Sequence, residues 1–124
     1  MERRAVPALS PFAATIGYSR AVREGRNVYV AGTAAIGLDS SGPYEQAKHC
    51  LEIAIGALDE LGARPEHVVR TRVYLVDAGD WEAVGRAHGE VFGEVRPVST
   101  FVVVAGLIDE RWRCEIEVDA VLPE

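Results

Sequence analysis

The sequence predicts an α+β fold in which one sheet carries two helices on one face. Two stretches repeat apolar residues at three- and four-residue steps, as amphipathic helices do. Segments that alternate apolar and polar residues mark strands before, between and after them. In a chain of 124 residues this order fits a single domain, residues 1–124, with one hydrophobic core.

The first third of the chain carries the first strands. A short strand is predicted from Tyr18 to Val22, and another is possible before Pro7. Gly25-Arg26-Asn27 is typical of a hairpin turn because Gly and Asn tolerate positive φ. Val28 to Gly32 follows as a buried strand, and residues 37–43 are a predicted loop.

Two helices are predicted next. The first spans Tyr44 to Leu61, with Gly62 as its C-terminal cap. The second begins after Asp80, which suits an N-cap, and ends at Gly93. Its predicted inner face consists of Trp81, Val84, His88 and Val91. Trp81 is expected to anchor this helix in the core.

The later strands are predicted at Val68–Val76, at Ser99–Val104 and at Arg113–Leu122. In the first of these, Val69, Thr71, Val73 and Leu75 share one face, and Arg70, Arg72 and Tyr74 share the other. In the last strand, Glu115, Glu117 and Asp119 lie opposite the apolar face. This charged sheet face is either exposed to solvent or packed against other copies of the chain.

Composition argues against several classes of function. The net charge of −6 argues against a surface built for nucleic acid. No apolar run reaches the length of a signal peptide or a membrane span, so no membrane partner and a cytoplasmic location are expected. Cys50 and Cys114 form no CxxC pair and are expected to be reduced. The three histidines lack metal-ligand spacing and the glycines form no phosphate loop, so neither metal nor cofactor is expected.

Five segments together resemble the RidA (YjgF-like) family in order and spacing. Ile16 to Ala21 (IGYSRA) is similar to its Ile-Gly-Pro-Tyr-Ser-Gln-Ala, and Val28 to Gly32 (VYVAG) to its Val-Tyr-Thr-Ser-Gly. Val69 to Asp77 (VRTRVYLVD) resembles its Val-Lys-Thr-Thr-Val-Phe-Leu-Thr-Asp. Phe92-Gly93 with Arg96-Pro97, and then Glu115-Ile116-Glu117, follow at the expected places. The resemblance implies a chorismate-mutase-like fold with a mixed sheet, in a homotrimer whose sheets line a central barrel.

The resemblance also implies a ligand site in clefts between subunits. In the family an arginine binds the substrate carboxylate, and a tyrosine, a main-chain amide and the first glutamate of Glu-Ile-Glu complete the site. Here Tyr18, Gly32 and Glu115 stand at matching positions, and Glu115 is the candidate catalytic residue that would position a water. Glu115 could equally be a barrel-lining carboxylate that serves assembly.

The family's arginine is missing. Its Arg-Pro-Ala-Arg-Ser-Thr aligns without a gap with Arg96 to Phe101 (RPVSTF), which places Ser99 where the arginine stands. Thr100 and Phe101 follow as candidate substrate-binding residues. Losing one partner of a buried charge pair costs about 2–5 kcal/mol, so a 2-imino acid should bind about 30-fold to several thousandfold more weakly.

Another arginine could replace the missing one. Arg72 is the first candidate, because it shares a sheet face with Glu115; Arg111 and Arg113 are second choices. The alternative is that Arg72 forms a structural ion pair with Glu117 or Glu115.

Two functions follow from these residues. The first is a homotrimer that binds a small, neutral or weakly acidic metabolite and lacks the usual deaminase activity. The second is an imine or enamine deaminase with an altered substrate, which would use Glu115. A ribonuclease activity, a label often attached to the family, is disfavoured by the negative charge.

Overall fold

The computed structural model describes residues 2–38 and 41–124. Asp39 and Ser40, inside the predicted loop 37–43, lie outside the described residues. The strands and helices follow one another as β1 (Arg3–Pro7), α1 (Ala13–Ile16), β2 (Ser19–Glu24), β3 (Asn27–Thr33), α2 (Pro43–Glu60), β4 (Val68–Leu75), α3 (Trp81–Phe92), β5 (Val98–Val103) and β6 (Cys114–Val121). Short 3₁₀ turns at Pro65–His67 and Ala78–Asp80 lead into β4 and α3.

The six strands form one mixed sheet in the order β1-β2-β3-β6-β4-β5. All neighbours pair antiparallel except β4 and β5, which are parallel. The hairpin between β2 and β3 has the predicted turn, since Glu24 pairs with Asn27 and Gly25 has a φ of 61°. Strand β5 lies at one edge of the sheet, and β1 lies at the other.

Helices α2 and α3 cover one face of the sheet, as predicted. Helix α2 packs on β3 and β6, and α3 packs against α2. Pro43 begins α2 at a position that suits proline, and Gly62, with a φ of 83°, follows its end. The core between the layers includes Leu51, Leu58 and Ile116, which are fully buried. Each such side chain contributes about 1.5–3 kcal/mol of hydrophobic stabilisation.

One prediction about α3 is wrong. Trp81 is not a core anchor: it lies on the first turn of α3 and is 59% exposed, while Val84 and Phe92 carry the buried contacts. Asp80 does stand at the N-cap position, but its side chain makes no capping bond. It instead accepts two hydrogen bonds from Arg113, at 3.0 and 2.8 Å, and so ties α3 to β6.

Three irregularities in the strand pairing change which side chains face the helices. Between Val68 and Arg70 the register of β4 against β6 shifts, so Val68 is buried and Val69 is 46% exposed, opposite to the prediction for Val69. A second shift, in the pairing of β1 with β2, places Pro7 opposite Ser19. A third shift, in the pairing of β3 with β6, falls between Val30 and Thr33. The second and third shifts lie at the same end of neighbouring strands, close to the pocket described below.

The outer sheet face is charged, and several of its charges are paired within the chain. Arg72 lies 3.6 Å from Asp119, and the Tyr74 hydroxyl donates to Glu117. Arg72 therefore forms a structural ion pair, but with Asp119 rather than with Glu117 or Glu115. Large apolar side chains also remain exposed on or beside this face, among them Tyr29, Val98 and Val102.

The two cysteines lie on opposite sides of the core interface. Cys50 on α2 and Cys114 on β6 are both free and fully buried. A hydrogen bond with Cys114, reinforced by burial, raises the pKa of the Cys50 thiol. Because both thiols are fully buried, neither is accessible to a substrate as a nucleophile.

Candidate functional site

A pocket of about 220 Å³ opens at the end of the sheet where β2, β3 and β6 lie side by side. Its polar wall is formed by Tyr18, Arg20 and Glu115, with the backbone of Gly32 between them. The apolar wall comes from the segment before β2 and from the loops around it: Phe12, Ile16, Ile36, Ile108 and Trp112. Three of the sequence-predicted site residues, Tyr18, Gly32 and Glu115, thus line one pocket.

Gly32 lets the Glu115 carboxylate lie directly against the β3 backbone. A Cβ added at Gly32 would be 2.9 Å from Oε2 and 3.0 Å from Cδ of Glu115, closer than real Cβ atoms approach. The register shift between Val30 and Thr33 brings this part of β3 against β6. A glycine in a strand commonly marks such a close approach. Glycine at this position therefore provides space for the Glu115 carboxylate in its present rotamer and is not needed for backbone conformation.

Glu115 makes no hydrogen bond or ion pair with any side chain or backbone group of the described residues. The pKa of its carboxyl is raised, and burial is the main cause. The nearby charge of Arg20 lowers this pKa, and the charge of Glu117 raises it. Its neighbours on β6 differ, since Glu117 bonds to Tyr74 and Asp119 pairs with Arg72. Half-buried polar groups are normally satisfied, so Glu115 is suited to bind a water or a ligand.

Arg20 is the residue of this pocket that the sequence reasoning missed. It is only 8% exposed. Its Nη1 donates to the Thr33 hydroxyl at 2.7 Å and to the Gly32 carbonyl at 3.0 Å, with the Ala31 carbonyl at 3.4 Å. Its Nη2 donates to the Tyr18 hydroxyl at 3.3 Å. One signal could have found it: in the IGYSRA segment, Arg20 replaces the family's glutamine.

The three arginines that the sequence offered as replacements lie elsewhere. Arg72 pairs with Asp119, and Arg113 pairs with Asp80 at 2.8 Å. Arg111 pairs with Asp109 at 2.7 Å. None of the three lines the pocket, so within this part of the chain Arg20 is the cation next to Glu115.

The remaining predicted site residues lie on β5, away from this pocket. Ser99 is two strands from Glu115 and displaced by three residues along the strand direction, a separation of ~14 Å from standard strand spacings. The Thr71 hydroxyl donates to Ser99 at 2.7 Å and lies 2.8 Å from Nε2 of His88. Phe101 meets the His88 ring edge-on, and Thr100 pairs with Arg72 on the outer face. One chain does not bring these residues together with Glu115.

His88 belongs to the packing beneath β5. Burial lowers the pKa of its imidazole, so it is neutral at physiological pH. Its ring packs between Phe92 and Phe101. The Ser99-Thr71-His88 chain of hydrogen bonds therefore fixes the start of β5 against α3.

Trp112 leaves a polar group of the pocket wall unsatisfied. The indole is 7% exposed and meets Phe12 edge-on at 6.5 Å. Its Nε1 has no hydrogen-bond acceptor among residues 2–38 and 41–124. An unmet buried donor costs about 1–3 kcal/mol, so an acceptor supplied by water or a ligand would be stabilising.

A larger cavity of about 560 Å³ lies between α2 and the segment after β1. It shares Arg20 and Ile36 with the smaller pocket, but its other walls are mainly apolar, including Ile53 and Ala57 of α2. We place the candidate site in the smaller pocket because that pocket contains the unpaired carboxylate.

Within the described part of the chain, no three His, Cys, Asp or Glu side chains are arranged to hold a metal ion. No helix in residues 2–38 and 41–124 is long and apolar enough to cross a bilayer.

Comparison with known proteins identifies the family. The model of the family described as endoribonuclease L-PSP matches residues 8–122. An uncharacterized protein of Streptomyces coelicolor is 46% identical, over 94% of this chain and 90% of its own. The 2-iminobutanoate/2-iminopropanoate deaminase of mouse is 34% identical, over 87% and 84%.

Solved structures agree with the sequence comparisons. A Mycobacterium tuberculosis member of the YjgF/YER057c/UK114 family superposes with a TM-score of 0.92 at 40% identity, covering 98% of this chain and all of that one. The mixed sheet with helices on one face is therefore the fold of this family. From the sequence match and the superposition together, the chain belongs to the endoribonuclease L-PSP family, also called YjgF/YER057c/UK114.

Proposed function

We propose that this chain forms a homotrimer that binds a small metabolite in clefts between subunits, without the usual 2-imino acid deaminase activity. The observation that carries the proposal is the pocket in which Tyr18, Gly32 and an unpaired Glu115 meet. No ion pair among the described residues neutralises this carboxylate, so it is free to bind a ligand.

The β5 residues supply the reason for a cleft between copies. Ser99 lies ~14 Å from Glu115 by standard strand spacings, and Thr100 and Phe101 lie ~10–12 Å from it, so one chain does not place all three against the same small ligand as Glu115. Strand β5 is an edge strand with exposed valines at residues 98, 102 and 103. An exposed apolar edge is unfavourable in a monomer, and packing against another copy would bury it.

Ser99 supports the loss of deaminase activity. Its short side chain is held by Thr71 and carries no charge, so β5 presents no guanidinium to a substrate carboxylate. An arginine matches a carboxylate with two parallel hydrogen bonds, which a serine cannot do.

The alternative function is an imine or enamine deaminase with an altered substrate. The mouse relative carries a deaminase name, and burial raises the pKa of Glu115, which makes its carboxylate a stronger base than a solvated one. In that reaction Glu115 would remove a proton from water as its oxygen adds to the imine carbon. Glu115 would then return this proton to the nitrogen. The hydroxyl proton of the adduct also passes to the nitrogen as the carbon-nitrogen bond breaks, which yields the carbonyl compound and ammonia.

An ammonia-release assay distinguishes the two functions. 2-Iminopropanoate is generated enzymatically, and ammonia release is followed with and without the protein. The binding function predicts no acceleration by the wild type and a gain in Ser99→Arg. If the wild type accelerates ammonia release and Glu115→Ala does not, the binding function is refuted and the deaminase function is supported.

A further inference from the structure

We propose that Arg20 is the anion anchor of the pocket and that the ligand is a small monocarboxylate. This inference rests on the proposed function, because it names the chemical class bound at the same site. It differs from the family pattern, in which the anchoring arginine stands at the position of Ser99 on β5.

The strand irregularities bring Arg20 to the pocket. Ala21, the next residue, is part of the core and pairs with Val30. Because Pro7 pairs with Ser19 instead of Arg20, the alternation of β2 is broken at this point and Arg20 also turns away from solvent. The shift in β3 then presents the Gly32 carbonyl and the Thr33 hydroxyl to its Nη1. Arg20 is therefore held by backbone and hydroxyl groups rather than by an acid.

The charge of Arg20 is not neutralised by a contacting carboxylate. None of the ion pairs among residues 2–38 and 41–124 includes it, although it is more than nine-tenths buried. Glu115 acts on it only through space, since no hydrogen bond joins the two. A buried charge without a contacting counter-ion is unfavourable, and a bound carboxylate would supply one.

The guanidinium also keeps hydrogen-bonding capacity for a ligand. It has five N–H groups. The two on Nη1 bond to Thr33 and the Gly32 carbonyl, and one on Nη2 bonds to Tyr18. The N–H of Nε and the second N–H of Nη2 have no acceptor in the described chain. These two N–H groups remain as donors for the oxygens of a carboxylate.

The rest of the pocket selects the remainder of the ligand. Trp112 adds its indole ring to the pocket lining. Phe12, Ile36 and Ile108 form an apolar wall around a volume of about 220 Å³. A short aliphatic chain fits this wall, and a long or charged one does not.

The proposal is tested with isobutyrate and its uncharged isostere isobutyramide, titrated into the full-length protein and followed by NMR line broadening and thermal shift. We expect the wild type to bind isobutyrate at least tenfold more tightly than isobutyramide. Arg20→Gln should lose this preference, with isobutyrate about 30-fold weaker or more. Arg20→Lys keeps the charge without the planar fork, and it should retain part of the preference.

The control variant is Arg86→Gln. Arg86 lies on α3, stacks on Tyr44 and is remote from the pocket, so its loss changes net charge equally and should leave the preference intact. Thermal unfolding shows whether each variant is folded; if Arg20→Gln is not, the comparison is made with Arg20→Lys.

Three results would overturn the proposal. Equal binding of both probes by the wild type would refute an anion anchor but leave the pocket's binding function in place. An undiminished preference in Arg20→Gln would place the anion elsewhere. No binding of either probe at millimolar concentration would count against the anchor and against the proposed function together.

Discussion

Substitution of Gly32 by alanine tests the contact on which the pocket depends. The new Cβ would lie 2.9 Å from Oε2 of Glu115, so the carboxylate must move. Forcing a side chain off its rotamer costs about 0.5–1.5 kcal/mol. Because the φ of Gly32 lies outside the left-handed region, alanine also gains about 0.4–1 kcal/mol from the unfolded state. These terms nearly cancel, so the free energy of unfolding of Gly32→Ala should stay within about 1 kcal/mol of the wild type.

A double-mutant cycle separates the two terms. With Glu115→Ala as background the clash is absent, and Gly32→Ala should then stabilise the protein by the unfolded-state term alone, about 0.4–1 kcal/mol. The expected coupling energy is about 0.5–1.5 kcal/mol. Urea denaturation of the four proteins at one fixed protein concentration measures it, since an oligomer's stability depends on concentration. A coupling near zero would show that Glu115 does not occupy the space in front of Gly32, and the site geometry would be wrong.

Three further predictions concern charge and burial. Burial raises the pKa of Glu115, so its carboxyl stays protonated to higher pH in the folded protein than in the unfolded chain. Ionisation of this carboxyl therefore lowers the free energy of unfolding as the pH rises through the folded-state pKa. Glu115→Gln should therefore match the wild type below pH about 4 and be more stable at neutral pH, measured by denaturant unfolding across pH. Arg113→Ala should cost about 2–3 kcal/mol in the same assay, because it leaves the buried Asp80 carboxylate without its two hydrogen bonds. Trp81→Ala should change stability by no more than about 0.5 kcal/mol, whereas a core tryptophan would cost about 3–5 kcal/mol.

Periodicity was sufficient to predict the order of strands and helices. Both long helices and the strands from Ser19 onward lie within a residue or two of their predicted bounds. The strong signals were the stripe on α2 and the strict alternation of β6, where every second residue from Cys114 to Ala120 is buried. Such patterns predict structure well because side chains repeat on one face with a regular period, about 3.6 residues in a helix and two in a strand.

The pattern fails where the step is not constant. A bulge inserts one residue, so every later side chain changes face, and nothing in the composition of β2 or β4 announces it. Strict alternation therefore predicts the wrong face for Val69 and does not predict the burial of Arg20. The spacing also places Trp81 on the apolar stripe of α3, but its side chain is 59% exposed whereas Val84, three residues later, is fully buried.

The candidate site was partly predictable. Tyr18, Gly32 and Glu115 came from the family resemblance, and they line one pocket. The unpaired state of Glu115 and the placement of Arg20 depend on tertiary geometry and could not be read from the chain. The arginines that the sequence places near Glu115 on the strands, Arg72 and Arg113, have acidic partners of their own.

The most direct test of a shared cleft is a crystal structure of the protein grown with isobutyrate. The account predicts a threefold arrangement in which β5 of one copy closes the pocket of Tyr18 and Glu115 in the next, with the isobutyrate carboxylate on Arg20. A monomer, or isobutyrate bound where every contact comes from a single chain, would contradict it.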